Sequence, residues 1–162
     1  MKSVETALKM ERDAVDFYKK CAEKTSSPIG KKMFLSIVED EQYHIACATN
    51  VIKGLGFKPP KTTPKQDMKN IFEQNKNSVM QKIDATTDDL DALTIAMKME
   101  KEGADFYKKA AAEAATPAEK ALFECLVKDE EQHFSIFQNT FSLLSDTSNW
   151  FMWEERVIYE GG

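Results

Sequence analysis

The chain contains an internal duplication. Residues 7–44 and 96–133 align at a constant offset of 89 without a gap, and 17 of the 38 aligned positions are identical. Glu11 recurs as Glu100, and Asp16-Phe17-Tyr18-Lys19-Lys20 recurs as Asp105-Phe106-Tyr107-Lys108-Lys109. Pro28 recurs as Pro117 and Phe34 as Phe123, and Asp40-Glu41-x-x-His44 returns as Asp129-Glu130-x-x-His133. Self-similarity over such a span is read before any local signal, because it sets the unit from which the fold is built.

Each repeat reads as a helical hairpin. In the first, Ser3 is a candidate N-cap and the helix runs to about Glu23. Ser27-Pro28 supplies an N-cap and a proline at N1 for a second helix. That helix runs to about Gly54, where Gly54-Leu55-Gly56 ends it. In the second repeat a helix starts at Thr87 or Asp88 and ends near Ala115. Thr116-Pro117 repeats the cap-and-proline device, and the last long helix reaches about Leu144. With six Gly and five Pro in 162 residues, long uninterrupted helices are favoured.

The inward face is legible at three- and four-residue spacing. On the second helix it comprises Phe34, Ile37, Val38, Glu41, His44, Ala48 and Ile52; on the last, Leu122, Leu126, Glu130, His133, Phe137, Phe141 and Leu144. Glu41, His44, Glu130 and His133 interrupt otherwise apolar stripes, and such breaks in the core pattern tend to mark function. Met10, Met33, Met97 and Met99 read as core filler.

The expected fold is therefore all-α, a four-helix bundle forming one domain over residues 1–162. Hairpin 1 covers about 3–55 and hairpin 2 about 88–145, joined by a crossover over about 56–87. The crossover holds a weaker helical stretch, roughly 65–83, and must travel the length of the bundle if a two-fold relates the halves. The tail, 146–162, carries Trp150, Phe151, Met152, Trp153 and Tyr159, and is expected to pack on the bundle or on a partner subunit.

The net charge of −5, with no basic stripe, argues against nucleic acid as a partner. The acidic excess fits solubility, or carboxylates that neutralise bound cations. Cys21, Cys47 and Cys125 form no CxxC pair, which points to a reducing compartment and to a role as small apolar residues. No apolar run approaches the roughly 18 residues a bilayer span needs. The expected location is cytoplasmic, with no membrane partner.

Glu41 and His44 share one helical face, as do Glu130 and His133, and Glu11 and Glu100 lie on the inward stripes of the other two helices. A bundle brings all six to one level. Four carboxylates buried together repel one another and lose their hydration. Two divalent cations would cancel that charge, and the oxygen and imidazole donors suit iron, manganese or zinc. Asp40 and Asp129 are placed to accept the second N–H of a ligand histidine across the bundle. Tyr18 and Tyr107, seven residues after Glu11 and Glu100, are the candidate catalytic groups, able to bond the ligand carboxylates or relay protons. The alternative for both is core packing with a satisfied hydroxyl.

These residues resemble the ferritin-like domain of rubrerythrins and their shorter relatives, over about residues 3–145. The resemblance implies a ferritin-like bundle with a di-iron centre held by Glu11, Glu41, His44, Glu100, Glu130 and His133. Glu41 and Glu130 would be the bridging pair. It further implies a homodimer or larger assembly, and reduction of peroxide in many members. Two departures stand out. The paired CxxC motifs of a rubredoxin-like domain are absent from this sequence, so electrons would come from a separate donor protein. Rubrerythrins also carry a further Glu one turn after the third-helix ligand, where this chain has Gly103, with Ala14 as its repeat mate. That leaves a plain six-ligand set with space beside the metals. Peroxide or dioxygen reduction is the leading expectation. Iron binding linked to ferroxidase activity, and a non-catalytic metal-stabilised bundle, are the alternatives.

Overall fold

The computed structural model describes residues 1–74 and 87–145. Among them the chain is all-α, with α1 (Lys2–Lys24), α2 (Pro28–Ile52), α3 (Pro64–Gln74), α4 (Thr87–Ala112) and α5 (Pro117–Ser145). α1 packs chiefly on α2 and α4 chiefly on α5, so each repeat is one hairpin. The hairpins close into a four-helix bundle, and α3 lies against α2 and α5. The expected helix beyond Gln74 and the aromatic tail fall outside the described residues.

Local chemistry sets the helix ends. Ser27 Oγ accepts from Gly30 N at 3.0 Å, and Pro28 follows where no N–H is needed. Thr116 repeats this, accepting from Glu119 N at 3.2 Å, while Glu119 Oε2 accepts from Ala115 N at 2.9 Å. That reciprocal pair satisfies two donors at the start of α5. Gly54, at φ +71°, ends α2. The left-handed turn lets Leu55 N reach Asn50 O at 2.9 Å and Gly54 N reach Val51 O at 3.1 Å.

Ser3 does not cap α1. The helix starts at Lys2, and the Met1 carbonyl accepts from Val4 N at 3.0 Å and Glu5 N at 3.1 Å. The cause is an ion pair between the Met1 ammonium and Glu119 Oε1 at 3.0 Å. It pins the chain before Ser3 and leaves Ser3 inside the first turn.

Two apolar clusters flank a polar middle. One holds Tyr18, Met33, Phe34, Leu93 and Phe137; the other holds Val4, Ala48, Tyr107, Leu122 and Phe123. Repeat mates occupy opposite ends: Tyr18 and Phe34 in the first cluster, Tyr107 and Phe123 in the second. The halves are thus related by reversal along the bundle. Each large apolar side chain buried here contributes roughly 1.5–3 kcal/mol. Ile52, Phe141 and Leu144, at the ends of their stripes, are half-buried.

The connection follows from this reversal. α2 ends at the second cluster, where Phe57 packs, whereas α4 begins at the first. As far as Gln74 the chain runs over α2 and α5. Tyr43 donates to Lys58 O at 2.9 Å, Lys65 N donates to Gln132 Oε1 at 3.3 Å, and Met68 is buried in the first cluster.

Candidate metal centre

The polar middle of the bundle is where the interrupted stripes meet. Glu11, Glu41, His44, Glu100, Glu130 and His133 are all buried, none more than 5% exposed. They form two overlapping groups: Glu11, Glu41, His44 and Glu130, and Glu41, Glu100, Glu130 and His133. Within each group one donor atom per residue lies within 4.8 Å of every other. Glu41 and Glu130 belong to both. Each helix of the bundle contributes: α1 one Glu, α4 one Glu, and α2 and α5 a Glu-x-x-His face each.

The histidines are held by the opposite hairpin. His44 Nε2 donates to Asp129 Oδ2 at 3.0 Å, and His133 Nε2 donates to Asp40 Oδ2 at 3.0 Å. That leaves Nδ1 of each ring turned toward the carboxylates. His44 Nδ1 lies 3.3 Å from both Glu11 Oε2 and Glu41 Oε2. His133 Nδ1 lies 3.1 Å from Glu41 Oε1 and 3.5 Å from Glu100 Oε2. A carboxylate on the far nitrogen orients the ring and fixes which nitrogen faces the site.

The tyrosines also cross between hairpins. Tyr18 donates to Glu100 Oε1, and Tyr107 donates to Glu11 Oε1. Each phenol therefore serves the glutamate of the other repeat, although the spacing in sequence placed each on the face of its own. Burial raises both phenols well above their usual range, and the adjacent carboxylates, Glu100 for Tyr18 and Glu11 for Tyr107, raise them further. Both stay protonated donors.

The carboxylates cannot all be ionised together. Burial raises Glu41 and the neighbouring Glu11 charge raises it further. Burial acts against Glu11 too, but a hydrogen bond from Glu41 and the His44 cation outweigh it and hold Glu11 low. In the second pair burial and the Glu100 charge raise Glu130; Glu100 is lowered, because its bonds to Glu130 and the His133 charge overcome burial. Burial disfavours both imidazolium ions, yet Glu11 for His44 and Glu100 for His133 raise them well above the usual value. Without metal, Glu41, Glu130 and the two histidines hold protons more tightly than usual, which offsets part of the buried charge. Two divalent cations can take the place of those protons.

The hydrogen-bond inventory tests that fit. Glu41 Oε1, Glu100 Oε2, Glu130 Oε1 and His133 Nδ1 are buried with no hydrogen-bond partner among the described residues. His133 Nδ1 and Glu41 Oε1 are 3.1 Å apart, yet neither makes a well-aligned bond. Unpaired buried polar atoms are costly. Four of them converging on shared carboxylates suit a coordinated cation better than a hydrogen-bond network.

Several openings approach the cluster. Between α1 and α4 a cavity of about 200 Å³ is lined by the four glutamates, both tyrosines, Met10, Met99, Ala14 and Gly103. Met10 and Met99 are half-buried at its margin rather than filling the core. Their equivalent places in the two repeats were the signal for this. On the opposite side a cleft of about 830 Å³ between α2 and the crossover reaches His44, Asp40 and Asp129.

A model of the rubrerythrin family matches residues 2–141, which takes in every residue of the cluster. The chain belongs to that family. No curated protein and no solved structure matches it significantly. Membership agrees with the ferritin-like bundle and with a metal site at these positions. In this rubrerythrin-family chain Gly103 stands beside the cluster: a Cβ there would be 3.2 Å from Glu130 Oε2.

Proposed function

We propose that this chain is a non-haem di-iron redox protein that reduces hydrogen peroxide or dioxygen, with electrons from a separate donor protein. The observation that carries the reading is that four unpartnered buried donor atoms fall in one ligand group, Glu41, Glu100, Glu130 and His133, which shares Glu41 and Glu130 with the other group. Four carboxylates and two imidazoles match two iron ions in charge and donor type, and manganese or zinc suits the same donors. Glu41 and Glu130, which belong to both ligand groups, would each serve both ions.

Bound there, the iron pair supplies the two electrons that, with two protons, convert hydrogen peroxide to two waters. The protein's part is to hold charge and protons. His44 and His133 are aimed by Asp129 and Asp40. Tyr18 and Tyr107 hold their phenolic protons and donate to Glu100 Oε1 and Glu11 Oε1, at the wall of the smaller cavity. That fixes two hydrogen-bond donors beside the carboxylates that would hold the metals. The reading takes the protein as a cytoplasmic homodimer that binds neither nucleic acid nor membrane. No helix among the described residues is long and apolar enough to cross a membrane.

The test is metal analysis of protein purified without oxygen, followed by anaerobic mixing of the ferrous form with peroxide and, separately, with dioxygen. Two irons per chain and oxidation faster than that of free ferrous ion are expected. Oxidation no faster than free ion with either oxidant would remove the redox assignment.

A further inference from the structure

The tyrosine and aspartate contacts that cross between hairpins are matched between repeats, but the packing around them is not. Gly103 and Ala104 on α4 stand where α1 has Ala14 and Val15. Glu130 lies directly over Gly103: a Cβ there would be 3.2 Å from Oε2 and 3.7 Å from both Cδ and Cγ. Beside Ala104 a second groove runs between α4 and α5, past Ser135, to Glu100 and Glu130. The Glu130 side chain is 7% exposed, against 1% for its mate Glu41. Its Oε1 has no hydrogen-bond partner among the described residues.

We propose that Gly103 is a specificity-determining residue. It lets Glu130 lie back against α4 and so keeps a port on the Glu130 side of the centre, through which a short anionic donor ligand reaches the metals. A methyl group at this position makes Oε2 give way by a few tenths of an ångström beside the cavity that Gly103 and Glu130 both line. On the Glu41 side the equivalent positions already carry the larger side chains of Ala14 and Val15. The proposal rests on the metal reading above.

The experiment uses the cobalt-loaded protein, in which no redox step occurs. Cobalt per chain is measured first, and azide is then titrated with the visible spectrum as readout. Gly103→Ala is expected to keep two cobalt ions per chain, to melt at the same or a higher temperature, and to weaken azide about tenfold or more. The melting result separates a ligand port from a packing role, since alanine favours the helix. Should Gly103→Ala lose metal, Ala104→Val decides instead: it introduces the residue of the repeat mate and narrows the neighbouring groove. It must weaken azide to a similar degree. Azide affinity within about twofold of the parent in the metal-replete variant overturns the port. A parent chain that takes up no cobalt overturns the metal reading, and the port with it.

Discussion

The two ends of the bundle descend from one hairpin, and they differ in an instructive way. At one end Tyr18, Phe34 and Phe137 stack together, with Tyr18 and Phe137 ring centroids 5.3 Å apart, and Met68 of α3 closes the cluster. At the other, Tyr107 and Phe123 keep a similar stacking at 6.1 Å, but the mate of Phe137 is Ala48, and no α3 residue belongs to that cluster among the described residues. The polar layer between them keeps the bonds that cross from one hairpin to the other. Tyr18 reaches Glu100 as Tyr107 reaches Glu11, and His44 reaches Asp129 as His133 reaches Asp40, both at 3.0 Å. Apolar packing tolerates exchange of shape when the total volume is filled. A reciprocal set of buried bonds does not, because losing one member strands its partner. The matched layer is the part under chemical constraint.

The sharpest test asks whether the ligand layer is itself uniform. Glu41 and Glu130 serve both groups, whereas Glu11 and Glu100 each serve one. Glu130→Ala and Glu41→Ala should each abolish binding of the ion pair, and Glu11→Ala should leave one ion bound. Metal content after equilibrium dialysis distinguishes them. One remaining ion in all three variants would show that no glutamate is shared. At the bundle ends, Phe137→Ala should cost roughly 3–5 kcal/mol in urea unfolding through the cavity it leaves. Combining it with Ala48→Phe should not rescue the loss, because that site is fully buried beside Cys47 and Val51. Overpacking there adds roughly 1–3 kcal/mol more. Recovery of parental stability in the double variant would mean that the ends are interchangeable after all.

The supporting carboxylates predict a smaller and unequal effect. Asp129 is 9% exposed and Asp40 18%, although each bonds its histidine at the same distance. Asp129→Asn and Asp40→Asn should each weaken metal binding by about 10–100-fold, a typical cost for losing the group that orients a ligand histidine. The more buried Asp129 should show the larger loss in a competitive zinc titration. Equal losses would mean that solvent does not discriminate between the two pairs.

How much of this was legible depended on what repeats. The duplication placed Glu11, Glu41, His44, Glu100, Glu130 and His133 on inward faces, because a polar residue in an apolar stripe is visible twice. The hairpin boundaries were legible for a similar reason: Ser27-Pro28 and Thr116-Pro117 are two copies of one local device. What stayed hidden was which hairpin serves which. Helical spacing puts Tyr18 on the face of Glu11, and only the reversed packing of the halves carries its hydroxyl to Glu100. Ser3 misled because a good local cap was overridden by a pair 118 residues apart, between Met1 and Glu119. Met10 and Met99 read as filler because a stripe pattern shows which face a residue takes, not whether a cavity lies beyond it.

The smallest expected effect is a difference between two substitutions. Tyr18→Phe and Tyr107→Phe each keep the ring and remove one hydroxyl that donates to a buried glutamate. A hydrogen bond to a charged group contributes roughly 1.5–3 kcal/mol, so each variant should lose about that much in urea unfolding of the metal-free chain. The rings sit in unlike surroundings: Tyr18 contacts Phe17, Phe34 and Phe137, whereas Tyr107 contacts Phe106 and Phe123. Those contacts survive the change to Phe. If the polar layer is matched and only the packing has drifted, the two losses should agree within about 0.5 kcal/mol, the usual tolerance for independent sites. A gap of more than about 1 kcal/mol would mean that the aromatic surroundings reach into the hydrogen bond itself, and that the layer is less symmetric than its distances suggest.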